Sequence, residues 1–226
     1  MFTKITNAVA DWRLGIRANG IVATNKQGAV HYASSSHHHI REVLDRLQLS
    51  ESDTFLDIGC GKGRVLAIAK TYSVGLVVGI EYEPALVASA KRNLAGSNIE
   101  LWQGAAEYFD YSAITAAYAF IPVEPEILDL ILGKIHSDRA RLTIRMPFRI
   151  AYVMETPERQ AVFARHHWLK QYACFINSNN QIVRFYFADE SRGAKKARLE
   201  AGHDVARLTS HRLHRCHPSR GPLFEP

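Results

Sequence analysis

The chain has 226 residues, 47% hydrophobic and 22% charged, a size and balance that suit one α/β domain with an extension and exclude a disordered or membrane-embedded chain. Its net charge of +6 invites a nucleic-acid partner, but residues 191–226 hold eight Lys and Arg against three Asp and Glu, so the preceding part is close to neutral. No apolar run approaches the roughly 20 residues that span a bilayer, and the opening MFTKITNAVADWRLG has no long apolar core before a small-residue cleavage site, so a cytoplasmic location is expected.

In chain order, residues 36–49 place Ile40, Val43, Leu44 and Leu47 on one helical face, with Ser36 as N-cap. Thr54–Ile58 reads as a buried strand, followed by a glycine turn and a helix carrying Val65, Leu66, Ile68 and Ala69. Leu76–Ile80 is a second strand; Pro84 opens a helix running to about Leu94, where Gly96 ends it. Ile99–Trp102 and Ile114–Ile121 read as the third and fourth strands, the latter stopped by Pro122. A helix over EPEILDLILGKI turns Ile127, Leu128, Ile131 and Leu132 to the sheet, and Arg141–Arg145 reads as a fifth strand stopped by Pro147. Two strand-like runs, WLKQYACFI and QIVRFYFA, flank the turn-rich NSNN and predict an antiparallel hairpin at the sheet edge. The alternation of short apolar runs with helical patterns predicts an α/β fold: a doubly wound, mostly parallel sheet with a C-terminal antiparallel hairpin.

The most informative stretch is FLDIGCGKGRVLAIA, where an apolar strand ends at Asp57 and Gly59, Cys60, Gly61, Lys62 and Gly63 turn into an apolar helix. Glycines there let the backbone turn sharply and approach a ligand, and ligands of open α/β sheets lie at the carboxyl ends of the strands. A dinucleotide fingerprint fails, because the third glycine position falls on Arg64 or Leu66; a Walker A loop fails on glycine spacing and on the missing Ser or Thr after Lys62.

What remains, D-x-G-x-G-x-G with an acidic residue ending the strand, resembles motif I of the class I, Rossmann-like S-adenosylmethionine-dependent methyltransferases. Glu81 ends the next strand, where the resemblance implies an exposed carboxylate that accepts both ribose hydroxyls. A weaker match is IELWQGAAEYF, where many members of the family carry Gly-Asp-Ala; here Gly104, Ala105 and Ala106 stand, so the adenine amino group lacks that carboxylate. Upstream, HYASSSHHHIREVL resembles a segment that folds over the methionine end of the cofactor, with Tyr32 and Ser35 as the residues implied. The resemblance therefore implies an S-adenosyl-L-methionine site made of Tyr32, Ser35, Asp57, Gly59, Cys60, Gly61, Gly63, Glu81, Tyr82, Gly104, Ala105 and Ala106, and transfer of a methyl group to an unidentified acceptor. It divides the chain into an extension and cofactor-covering segment (1–35), a methyltransferase domain (36–190) and a basic tail (191–226).

Methyl transfer from a sulfonium asks the protein chiefly to align the partners and exclude water, so no catalytic residue is assigned. Amino-group methylases of related layout carry Asn or Asp followed by Pro-Pro and an aromatic at the end of the fourth strand; Ile121 stands here, which disfavours adenine N6 as acceptor. Glu107, Tyr118, Glu124 and Glu126 are the acid or base groups at hand, and Arg145, Arg149, Tyr152 and His166 are candidates for the acceptor side. No metal site is expected: the three cysteines lack zinc spacings, and His37, His38 and His39, adjacent on a helix, point in different directions. Two alternatives stay open, a methyltransferase-like binding protein without catalysis and a nucleotide-binding oxidoreductase. The tail, poor in large apolar residues, is expected to be mobile, either a solvated extension or an electrostatic arm with weak affinity for nucleic acid.

Overall fold

The computed structural model describes residues 2–19, 21–22, 32–33, 35–121, 123–142 and 146–188. The basic tail, Pro122 and the run 143–145 lie outside these.

Among the described residues seven strands form one sheet: β1 (Thr54–Ile58), β2 (Leu76–Glu81), β3 (Ile99–Gln103), β4 (Ala116–Phe120), β5 (Arg149–Val153), β6 (Leu169–Ile176) and β7 (Ile182–Ala188). Their spatial order is β3-β2-β1-β4-β5-β7-β6. The first five are parallel, and β7 pairs antiparallel with both β5 and β6. The strand order reverses on either side of β1, which opens the crevice where α/β sheets take ligands. A separate two-residue ladder pairs Ile21–Val22 with Tyr32–Ala33.

Among the described residues six α-helices accompany the sheet: α1 (Phe2–Arg13), α2 (His37–Leu47), α3 (Arg64–Ala69), α4 (Pro84–Asn93), α5 (Pro125–Ala140) and α6 (Pro157–Arg165). Period-two alternation splits each strand between two cores. On one face Ile40, Val43, Leu44 and Leu47 of α2 and Leu66 and Ile68 of α3 cluster with Phe55, Val77, Tyr118 and Val153. On the other, Leu128, Ile131, Leu132 and Ile135 of α5 and Phe163 of α6 cluster with Leu56, Ile58, Ile80, Ile150 and Tyr152. Ser36 caps α2, its hydroxyl accepting from the His39 N–H at 3.2 Å.

The fifth strand differs from the sequence expectation. Helix α5 continues past Ile135 although the residues that follow are mostly polar, because two of them find buried partners: Asp138 accepts from the Tyr111 N–H at 3.0 Å, and Arg139 donates to the Ile114 carbonyl at 3.2 Å. Arg141 is the helix C-cap, residues 143–145 of the expected strand lie outside the described part, and the fifth described strand is the β-rich run RIAYV after Pro147. Helices α1 and α6 have no counterpart in the sequence reading. The fourth strand is also shorter than expected, stopping at Phe120 because Ile121 turns out of it with φ +36°.

Candidate functional site

The carboxyl ends of β1, β2 and β3 lie side by side, and the glycine turn after β1 is folded onto the end of β2. The N–H groups of Gly59 and Cys60 donate to the Ile80 carbonyl at 2.9 and 2.8 Å, and the Gly63 N–H donates to the Cys60 carbonyl at 2.9 Å. This path needs positive φ at Gly59 (+78°), Gly61 (+55°) and Gly63 (+85°), which only glycine adopts without strain. Gly63 is also fixed by packing, since a Cβ there would lie 2.8 Å from Leu94 Cδ1.

Glu81 is the hub of this edge. Its Oε2 accepts the Gly61 N–H at 2.9 Å and its Oε1 accepts the Glu83 N–H at 2.8 Å, while its own carbonyl accepts the Gly104 N–H at 3.0 Å. Turn, strand end and the start of the β3 loop are thereby locked to one residue. Contrary to the sequence expectation the side chain is not exposed: the residue is 9% accessible, because the turn closes over it. Burial pushes its carboxyl upward, opposed by the N–H groups of Glu83, Gly61 and Tyr82. Asp57 is fully enclosed, and burial together with the Glu81 charge pushes it well above the ordinary carboxylate range. Burial likewise raises the Cys60 thiol, which makes it a poor nucleophile.

Residues 21–122 match the family model described as Protein-L-isoaspartate(D-aspartate) O-methyltransferase (PCMT). No curated protein matches the chain in sequence. Among solved structures it is similar to an RNA methyltransferase from Salinibacter ruber in complex with S-adenosyl-L-homocysteine, at 18% identity and TM-score 0.54 over 70% of this chain and 95% of that one. It is also similar to S-adenosylmethionine-bound CalS10, an amino pentose methyltransferase from Micromonospora echinaspora, at 15% identity and TM-score 0.54 over 69% and 93%. The chain thus shares the Rossmann-like fold of these methyltransferase structures, and its residues 21–122 resemble a methyltransferase family in sequence.

At this edge Tyr82 follows Glu81 and is 44% accessible, whereas Ala106 is buried in a short 3-10 turn (Ala106–Tyr108) and its carbonyl accepts the Tyr111 hydroxyl at 2.9 Å. Ser35 stands just before α2 and its carbonyl accepts from Arg64 Nη1 at 2.6 Å. The backbone of Tyr32 pairs with Val22; its side chain lies outside the described part. Three acceptor-side candidates fall elsewhere. Arg149 opens β5 at the opposite, amino edge of the sheet, Tyr152 is fully buried, and His166 caps α6 with its Nε2 2.9 Å from Asp129 Oδ1. Arg145 lies outside the described residues. Tyr118, one of the acid or base candidates, is a buried β4 residue opposite Asp57. His37 and His38 turn to different carboxylates, Asp11 and Glu42, and among the described residues no group of three ligand side chains could hold a metal. No helix among them is long and apolar enough to cross a membrane.

Sequence reasoning missed a buried polar cluster behind the turn. Arg64, the first residue of α3, is 3% accessible and grips Asp11 of α1 with two bonds, Nε to Oδ1 at 2.9 Å and Nη2 to Oδ2 at 2.6 Å. Nη2 also reaches Asn19 Oδ1 at 2.7 Å, and His37 Nε2 lies 2.7 Å from Asp11 Oδ1. Burial alone would raise Asp11, but the hydrogen bonds and charges of Arg64 and His37 hold it below the usual range; burial lowers His37 and favours its neutral ring. The only signal in the sequence was an arginine directly after the turn, and its partner lies 53 residues upstream.

Proposed function

We propose that this chain is a methyltransferase that holds S-adenosyl-L-methionine along the carboxyl edge of β1 to β3. Asp57 and the backbone of Gly59, Cys60, Gly61 and Gly63 form the bed, and Glu81 takes the ribose. Tyr82, Gly104, Ala105 and Ala106 border the adenine, while Tyr32 and Ser35 stand on the methionine side. The observation that carries this reading is the carboxylate of Glu81. Each of its oxygens receives one backbone N–H, and a carboxylate oxygen has two lone pairs, so each can accept a hydroxyl while keeping the bond that shapes the turn.

When bound, S-adenosyl-L-methionine supplies a methyl group already activated by the sulfonium charge. The chain's own contribution is orientation and exclusion of water. Two buried carboxylates, Asp57 and Glu81, favour a cationic ligand, because a positive charge beside them stabilises their ionised forms. The acceptor stays unassigned: the similar structures are named for RNA and amino pentose methylation, and Ile121 offers no hydrogen-bond acceptor at the end of β4. That same residue favours a second reading, a cofactor-binding protein without transfer. Radiolabelled methyl transfer into a cell lysate separates the two, and absence of any labelled product from a cofactor-binding protein supports the second.

Glu81→Ala is expected to weaken binding of S-adenosyl-L-homocysteine by about 1.5 to 3 kcal/mol, roughly tenfold or more, through loss of a charged hydrogen-bond acceptor. Isothermal calorimetry on a variant shown to be folded by circular dichroism reads this out, and unchanged affinity removes Glu81 from the site. Titration with NAD is expected to give no heat; binding would restore the oxidoreductase reading.

The division into 1–35, 36–190 and 191–226 is part of the same proposal. A chain ending at Glu190 is expected to keep the melting temperature and cofactor affinity of the full chain. Salt-sensitive nucleic-acid binding that disappears on truncation identifies the tail as an electrostatic arm, whereas a large fall in melting temperature shows that it packs on the domain.

A further inference from the structure

The outer side of the glycine turn is stitched to residues 16–19. Lys62 Nζ donates to the Asn19 carbonyl at 2.7 Å. Asn93, the last residue of α4, donates through Nδ2 to the Lys62 carbonyl at 2.8 Å and to the Arg17 carbonyl at 3.3 Å, and accepts the Arg17 N–H at 3.0 Å. The segment 16–19 is in turn tied to Asp11, whose carbonyl accepts the Ile16 N–H at 2.9 Å and whose Oδ2 accepts the Ala18 N–H at 3.4 Å. Arg64 closes the circuit: its guanidinium grips Asp11 while reaching Asn19 on one side and Ser35 on the other.

We propose that Asp11 and Arg64 are positioning residues of the cofactor site, a buried ion pair that seats residues 16–19 against the back of the turn and so holds the Gly61–Gly63 backbone in its ligand-ready form. The inference rests on the reading of that turn as the S-adenosyl-L-methionine bed. Its physical basis is preorganisation. A turn built from three positive-φ glycines has many conformations available when unbraced, and Lys62, between the last two of them, is held at both its ammonium and its carbonyl. A fork-shaped guanidinium suits the task, because it grips a carboxylate bidentately and has donors left for two further segments.

If loss of the pair leaves the segment seated in about a tenth of molecules, apparent affinity falls about tenfold, since only the seated fraction binds. The test is calorimetric titration of S-adenosyl-L-homocysteine into the full chain, Asp11→Asn and Asn93→Ala at a temperature well below unfolding. Hydrogen exchange of the peptide containing residues 11–19 is followed in parallel. The expected result is tight binding by the parent, about tenfold weaker binding by the folded variants, and ligand-induced protection of residues 16–19 in the parent alone. Parent-like affinity in folded Asp11→Asn overturns the inference and leaves the cofactor reading standing. Should Asp11→Asn fail to fold, Asn93→Ala decides, and parent-like affinity there overturns it equally. Absence of binding by the parent sinks the cofactor reading and the inference with it.

Discussion

Asp53→Asn is expected to destabilise the protein by about 3 to 5 kcal/mol, the usual cost of breaking one side of a buried ion pair. Asp53 precedes β1 at the amino edge of the sheet and is 5% accessible. Arg149 donates to it twice, Nη1 to Oδ1 at 2.9 Å and Nη2 to Oδ2 at 2.8 Å. The Thr115 hydroxyl donates at 2.7 Å, and the N–H and hydroxyl of Ser50 at 2.8 and 2.9 Å. Arg149 also donates to the carbonyls of Leu47 and Gln48 at the end of α2. One carboxylate thus ties β1, β4, β5 and α2 together. The Asn variant keeps the shape, turns a donor toward groups that are themselves donors, and leaves Arg149 without its counter-charge. Burial alone would raise the Asp53 carboxyl, but Arg149, Thr115 and Ser50 hold it well below the usual range. Its stabilisation is therefore present above the ordinary carboxylate value and is lost as pH falls through the depressed one. Urea unfolding of both proteins at pH 7 and in acid measures this; a difference at pH 7 under about 1 kcal/mol, the range of exposed pairs, contradicts the assignment.

The second large effect has the opposite sign. Glu155 lies in the loop after β5, is buried, accepts the Tyr186 hydroxyl at 2.5 Å and pairs with Arg184. Burial pushes its carboxyl from 4.5 up to about 7, against the opposing pull of Tyr186 and Arg184. A folded-state value above the unfolded one means that the folded protein prefers the proton. The associated stability is complete below the ordinary value and is lost as pH rises through about 7, an order-of-magnitude cost of about 3 kcal/mol. Glu155→Gln, which imitates the protonated acid, is expected to match the parent near pH 4 and to exceed it in stability by up to about 3 kcal/mol at pH 8. Equal stability differences at the two pH values would show that Glu155 titrates as an ordinary carboxylate.

Much of the sheet was legible because each parallel strand is a short apolar run bounded by turn residues, as at Thr54–Ile58, found with the predicted bounds. The hairpin of β6 and β7 was legible for the same reason, with NSNN supplying the turn. The glycine turn could be read because its spacing demands positive φ, a local property of the backbone. What escaped depends on contacts distant in sequence. Residues 136–140 are polar enough to end a helix, yet α5 continues because Asp138 and Arg139 find buried partners at Tyr111 and Ile114. Glu81 was placed correctly at a strand end, but its burial follows from a turn that folds over it from another strand. Asp11, in a helix with no motif, could not be linked to Arg64 by any periodicity.

An open sheet also has rims, and this one guards both. At one rim β3 is only five residues long and carries Glu100 at its second position. At the other, β6 breaks its register between Gln171 and Ala173 and turns Lys170 and Gln171 to solvent. A charge on a short strand and a bulge beside a lysine are the features that deny a foreign strand a flat template of free backbone groups. The described sheet is therefore finished at seven strands, and replacing Lys170 and Glu100 with valine is the change that would invite stacking of chains edge to edge.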